Sequence, residues 1–281
     1  MRFIRVVRPC ILCVLLLLIG VGGYAQTPPA KDDYEPQPGQ VGKDVMWLPT
    51  ELALTETMLN LAEVTAQDYV IDLGSGDGRI VINAAKRGAR SLGIEYNPDL
   101  VALSKRNAAR EGVADRARFV QGDIFETDFS QATVITMFLL PELNLQLRPT
   151  ILKLKPGTRV VSNSFDMGEW QADKELALGK AEGCDTVYCR AFLWVVPARV
   201  DGTWKFSPGE IDLQQEFQLF SGTARADQDR VPVVGGRLAG DRISFGIGDA
   251  RYTGRVTGDA MEGTVRSGGA TTAWSARRIT R

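Results

Sequence analysis

The stretch "VIDLGSGDGRI", residues 70–80, decides the fold, because it reads as a strand, a glycine turn and the start of a helix. Tyr69–Leu73 is a short apolar run suited to a buried parallel strand. From Gly78 onward Ile80, Val81, Ala84 and Ala85 recur at helical spacing. Between them lies Asp72-Leu73-Gly74-Ser75-Gly76-Asp77-Gly78. A dinucleotide turn requires G-x-G-x-x-G, and its last position counted from Gly74 is Arg79, so that fingerprint fails. A phosphate loop ends in Gly-Lys followed by Ser or Thr, and none is present here. What remains is G-x-G-x-G with an acid two residues before the first glycine. Acids at the turn repel a pyrophosphate and suit a ligand that carries positive charge.

Further strands supply further acids. "SLGIEYNPDL" ends a second strand at Glu95, where a carboxylate can accept both hydroxyls of a ribose. Asn97-Pro98-Asp99 then opens a helix as N-cap, first-turn proline and first-turn acid, and Gly112 stops it after Glu111. "ARFVQGDIFE" ends a third strand at Asp123, followed by Ile124; "ATVITMFLLP" is a fourth strand and "GTRVVSNSF" a fifth.

The turn resembles the first motif, D-x-G-x-G-x-G, of class I S-adenosylmethionine-dependent methyltransferases. The resemblance implies an α/β fold with a Rossmann-like seven-stranded sheet and S-adenosylmethionine as cofactor. It implies cofactor contacts from Asp72, Gly74, Ser75, Gly76, Asp77 and Gly78, from Glu95 at the ribose, and from Asp123 and Ile124 at the adenine. The plain alternative makes Glu95 and Asp123 solvated strand ends. Residues 45–89, 92–100 and 147–163 also resemble a bacterial branch related to the mitochondrial lysine methyltransferases of the ATP synthase c-ring protein and the adenine nucleotide carrier. That resemblance covers about residues 45 to 200.

It implies that the segment before the first strand folds over the cofactor, with Thr50 and Glu51 near it. Thr50 reads equally as a plain N-cap for a helix burying Leu54, Met58 and Leu61. After the fourth strand, methyltransferases of nucleobases and glutamine carry Asn or Asp before Pro-Pro and an aromatic. Here the place reads Phe138-Leu139-Leu140-Pro141, so base methylation is disfavoured. Phe138, Leu139 and Pro141 are expected at the substrate mouth. Asn163 and Asp166, past the fifth strand, are the candidate catalytic acceptors, and serve equally as turn residues. The favoured acceptor is a protein lysine. A small-molecule or lipid methyltransferase and a silent binding module on the same fold are the alternatives.

Composition narrows these readings. The chain has 33 basic and 34 acidic residues, which leaves no global footprint for a nucleic-acid partner. It has no histidine, which excludes His-dependent nucleophilic catalysis and His-ligated zinc; no metal site is expected. Residues 1–25 follow the basic, apolar and small-residue order of a secretory signal, with cleavage expected after Ala25, or form an uncleaved anchor. Cys10 and Cys13 fall in its apolar run. Residues 26–44 read as a linker, 45–204 as the methyltransferase domain and 205–281 as a β-rich module.

The expected location is therefore the periplasm or envelope, close to membrane proteins, although the methyl donor is cytoplasmic. "YCRAFLWVVPARVDGTWKF", 188–206, is expected to form the hairpin that closes the sheet, and 235–278 a meander with Gly-Asp and Gly-Gly turns. That module is expected to pack on the core or close over the site. Cys184 and Cys189 would face opposite ways in one strand, so a disulfide between them needs a turn.

Overall fold

The computed structural model describes residues 34–207, 209–226 and 229–280. The signal-sequence reading, Cys10 and Cys13 lie outside the described residues. The first described helix, α1 (Leu52–Leu61), turns Leu54, Met58 and Leu61 into the core. Strand and helix then alternate as β1 (Tyr69–Leu73), α2 (Arg79–Lys86), β2 (Arg90–Glu95), α3 (Pro98–Arg110) and β3 (Ala117–Gln121). β4 (Val134–Met137), α4 (Pro141–Ile151) and β5 (Arg159–Asn163) continue the pattern. Val134, Ile135 and Met137 are fully buried, as central parallel strands with both faces covered must be. The Asn97 side chain accepts the Asp99 N–H at 2.9 Å, with Pro98 opening the helix, and Gly112 leaves it at φ 70°.

Two more strands, β6 (Lys174–Ala177) and β7 (Arg190–Val195), complete a seven-stranded sheet of order β3-β2-β1-β4-β5-β7-β6. β7 is antiparallel to both β5 and β6. The hairpin expected across 188–206 does not form. β7 takes its partner from upstream, and Gly202–Phe206 enters a different sheet as β8. Pro197, which has no N–H for a ladder, lies in the connection. Ala198 N–H already donates to the Gly240 carbonyl at 2.8 Å, and Trp204 is fully buried in the second sheet's core.

That second sheet is a closed eight-stranded barrel: β8, β9 (Gly209–Glu216), β10 (Leu219–Ala226), β11 (Asp229–Ala239), β12 (Arg242–Ile247), β13 (Ala250–Thr257), β14 (Ala260–Ser267) and β15 (Ala270–Thr280). The meander is closed by pairing of β15 with β8. Its last four hairpins turn on two residues each: Gly240-Asp241, Gly248-Asp249, Gly258-Asp259 and Gly268-Gly269. In the three Gly-Asp loops only the glycine has positive φ, as a type II′ turn requires. Phe206, Phe220, Phe245, Tyr252 and Trp274 fill the barrel with ring contacts.

The barrel is seated where β5 begins and β7 ends. Phe217 stacks on Trp170 at 6.0 Å, Gln218 donates to the Gln171 carbonyl at 2.7 Å, and Arg237 reaches Asp173 at 2.7 Å. It packs on the core and does not close over the cavities described next, which no described residue after Tyr188 lines.

Candidate active site

The strand order reverses between β1 and β4, which opens a crevice at their carboxyl ends. The glycine turn fills its floor. Gly74, Gly76 and Gly78 all have positive φ, at 79°, 55° and 84°, a region that disfavours any residue with a Cβ. A Cβ added at Gly76 would lie 2.6 Å from the Trp47 ring nitrogen. The turn is held from behind by α3, with Ser104 donating to the Gly76 carbonyl at 2.8 Å and Asn107 to that of Asp77 at 2.9 Å.

The acids around the turn differ in their surroundings. Asp72 is buried, and Thr136 donates to it at 2.6 Å. Burial pushes its carboxyl up to about 7; Glu95 and Asp77 push the same way, and the Thr136 bond opposes them. Glu95 accepts the amides of Gly76 and Asn97, each at 2.9 Å, one on each oxygen, which leaves lone pairs on both. Asp77 pairs with Arg79 at 3.0 Å, and Arg79 also donates to the Thr50 carbonyl at 2.7 Å. Asp123 accepts Lys43 at 2.6 Å and the Phe125 amide at 2.9 Å. The Lys43 hydrogen bond, then the Phe125 amide, hold Asp123 below the usual carboxylate range, and Asp123 in turn raises Lys43.

Lys43 belongs to a short strap that covers the crevice. Val41 and Met46 bridge antiparallel, and Gln40 and Trp47 are joined by a backbone bond of 2.9 Å. The main cavity is lined by this strap, the turn, Glu95, Tyr96, Asp123, Ile124, Phe138 and Leu139. A second cavity of about 280 Å³ adjoins it, sharing Leu48, Phe138 and Leu139 and adding Leu140, Phe165 and Tyr188. Tyr188 sits in a bend closed by a disulfide between Cys184 and Cys189.

Thus Thr50, Asp72, Gly74, Ser75, Gly76, Asp77, Glu95, Asp123, Ile124, Phe138 and Leu139 come together around one cavity. Gly78, Glu51 and Pro141 do not line it, and serve as the caps or first turns of α2, α1 and α4. Thr50 is not the N-cap of α1. That position falls to Glu51, without a side-chain bond, and the buried Thr50 hydroxyl instead meets Asn163 at 3.3 Å. Nor do Asn163 and Asp166 reach the mouth. Asn163 is fully buried and bonded to Thr50 and Ser164, while Asp166 is exposed and caps its own turn through the Gly168 amide at 3.0 Å. Sequence reasoning missed Lys43, Trp47, Phe165 and Tyr188. Trp47 stood in a segment expected to fold over the cofactor, whereas the other three carry no local signal.

The residues fit a bound S-adenosylmethionine. A buried carboxyl raised by burial and by neighbouring acids needs a cation, and a crowded glycine cradle leaves room only for a ligand held against backbone. Strands, turn and acids of this kind define an S-adenosylmethionine-dependent methyltransferase of class I. The family profile described as the ANTKMT methyltransferase domain matches residues 72–174. A protein-lysine N-methyltransferase of Saccharolobus islandicus is 42% identical over 147 residues, 51% of this chain and 91% of that protein. The human lysine N-methyltransferase of the ATP synthase c-ring protein is 37% identical over half of this chain, which spans 60% of that enzyme's length. Among solved structures, an RNA methyltransferase from Salinibacter ruber in complex with S-adenosyl-L-homocysteine is 47% identical. It has a TM-score of 0.50, over 54% of this chain and 96% of its own. This chain belongs to that family of S-adenosylmethionine-dependent methyltransferases.

Proposed function

We propose that the protein transfers the methyl group of S-adenosylmethionine to a lysine side chain of a protein in the cell envelope. The observation that carries the reading is the junction of an acid-lined, glycine-floored cavity with an apolar, aromatic one. In the first, Asp72 and the turn take the methionine ammonium, Glu95 accepts the ribose hydroxyls, and Asp123 and Ile124 meet the adenine. Lys43 then shares Asp123 with the adenine amino group. The cofactor, when bound, supplies a methyl carbon made electrophilic by its sulfonium.

The chain's own task is to present an unprotonated amine in line with that carbon. A lysine amine has an ordinary pKa of about 10.4, and an apolar lip lowers it by disfavouring the charged form. With Asn163 and Asp166 away from the mouth, positioning and desolvation are assigned the main role. The relatives differ in the acceptor their names carry, lysine for two and RNA for the third. The cation of the second cavity, Lys43, is paired with Asp123 and Asp44, so this mouth offers little to a phosphate backbone. That favours lysine.

An envelope location draws support from the Cys184–Cys189 disulfide, since such bonds persist in oxidising compartments. Envelope lysate incubated with the protein and S-adenosylmethionine labelled at the methyl group tests the acceptor: methyl-lysine in hydrolysed protein is expected, and label in lipid or small molecules alone rejects it. Two C-terminal reporter fusions, one active only outside the cytoplasm and one only inside, test the location. Activity of the inside reporter alone, with Met1 retained, rejects export.

A further inference from the structure

We propose that Phe138, Phe165 and Tyr188 form the port through which the acceptor amine reaches the methyl donor, with Tyr188 fixed there by the Cys184–Cys189 disulfide. The inference rests on the lysine reading above and adds the residues that select the acceptor. The three rings lie in one cluster, with centroids 6.2 Å apart for Phe138–Phe165, 5.4 Å for Phe138–Tyr188 and 6.0 Å for Phe165–Tyr188. All three are half-buried and line the 280 Å³ cavity that opens onto the cofactor cavity at Phe138 and Leu139. A side chain that enters along the rings therefore ends at the donor.

The backbone behind the rings is built to hold them. The Phe165 N–H donates to the Asn163 carbonyl at 2.8 Å across Ser164, whose φ is +61°. This is a tight three-residue turn in the strained sense, rare for a residue with a side chain. It is held from both sides. The buried Asn144 donates to the Phe165 and Asp166 carbonyls, each at 3.1 Å, and Ser164 donates to the Asn163 side chain at 2.8 Å. Asn163 thus acts as a positioning residue for Phe165. Tyr188 comes from a separate loop, and the bond between Cys184 and Cys189, both buried, closes that loop beside it.

Ring faces attract a cation without directed hydrogen bonds, and their apolar bodies disfavour hydration. They suit an alkyl chain ending in an amine, held as a cation at entry and eased toward the neutral form further in. Val187, Val41, Met46 and Leu140, all exposed, surround this part of the surface as an apolar lip against the acceptor protein.

The test uses the full protein with envelope lysate and labelled S-adenosylmethionine. It compares Phe165→Ala, Tyr188→Ala, Tyr188→Phe and a Cys184→Ala/Cys189→Ala double variant with the wild type. Tyr188→Ala and Phe165→Ala are expected to raise the lysate concentration for half-maximal lysine labelling about 10–30-fold, the scale of a desolvated cation–π contact. Tyr188→Phe is expected to rescue, and the double cysteine variant to fall between. S-adenosylhomocysteine affinity, measured by calorimetry, is expected to stay within about twofold of wild type in all of them, which also shows that they fold. Lysine labelling unchanged in both alanine variants overturns the port and leaves the lysine reading intact. Loss of S-adenosylhomocysteine binding in parallel with labelling overturns the port as an acceptor site. Wild-type label on no lysine overturns both.

Discussion

At the carboxyl ends of β1 and β2, Asp72 and Glu95 meet only hydroxyl and amide groups, whereas the barrel's Asp212, Asp241 and Asp259 each face an arginine. Glycine follows the same division. In the turn after β1 a Cβ at Gly76 would strike Trp47, but at Gly258 or Gly248 of the barrel it would meet nothing within 4 Å. One region keeps acids without cations and backbone without side chains, at a cost in stability, because a ligand completes it. The other satisfies itself with rings and ion pairs. Charges left unmatched inside a fold therefore mark where chemistry happens, and the barrel's matched surface marks it as support.

The comparison breaks most sharply if the barrel's core proves to carry the cofactor. Trp274 packs against Phe206, Phe245 and Tyr252 at 6.1, 5.4 and 5.6 Å. Trp274→Ala is expected to cost about 3–5 kcal/mol of unfolding free energy, through the cavity it leaves. S-adenosylhomocysteine affinity of the folded fraction should not change. Denaturant titration with and without that ligand checks both, and a matching loss of affinity would erase the distinction.

Asp72→Asn should do the reverse. With its folded pKa raised to about 7 from 3.8, the carboxyl costs the ligand-free protein nothing at pH below the lower value. Stability is then lost progressively as pH rises toward 7, because the unfolded chain ionises first. The asparagine variant is expected to lack that slope and to be more stable than wild type at pH 8, by up to a few kcal/mol. It should also lose most cofactor affinity. In the wild type, S-adenosylmethionine binding should tighten as pH rises through about 7 and release a proton below it. Calorimetry in buffers of different ionisation enthalpy reads the proton directly. A pH-independent affinity contradicts the assigned role of Asp72.

Glu95→Ala sharpens the picture at the ribose, with an expected loss of about 1.5–3 kcal/mol in S-adenosylmethionine binding, the scale of hydrogen bonds to a charged group. Calorimetry reads the loss, and NADH should show no measurable binding to the wild type. The smallest effect is expected at the seam between the regions. Arg237→Ala removes the half-exposed partner of Asp173 and should cost about 0–1 kcal/mol in thermal unfolding, less at high salt.

Wherever neighbours in the chain settle a structure, the amino-acid sequence determined it. The Gly74-Ser75-Gly76 turn, the Asn97-Pro98-Asp99 cap and the Gly-Asp hairpins follow from φ preferences and capping bonds within a few residues, so their reading needed no partner. The acids at Asp72, Glu95 and Asp123 were legible because strand ends place them by period alone. Tertiary structure decided the rest. β15 could close on β8 only after the intervening strands had formed, and Gly202–Phe206 looks alike whether it joins the sheet or the barrel. Lys43 meets Asp123 across 80 positions, and Thr50 meets Asn163 across 113. Phe138, Phe165 and Tyr188 come from three separate loops, and their Asn144 and disulfide supports act at a distance in the chain. Local propensity is blind to such contacts, because their free energy exists only once the folded backbone has brought the side chains together.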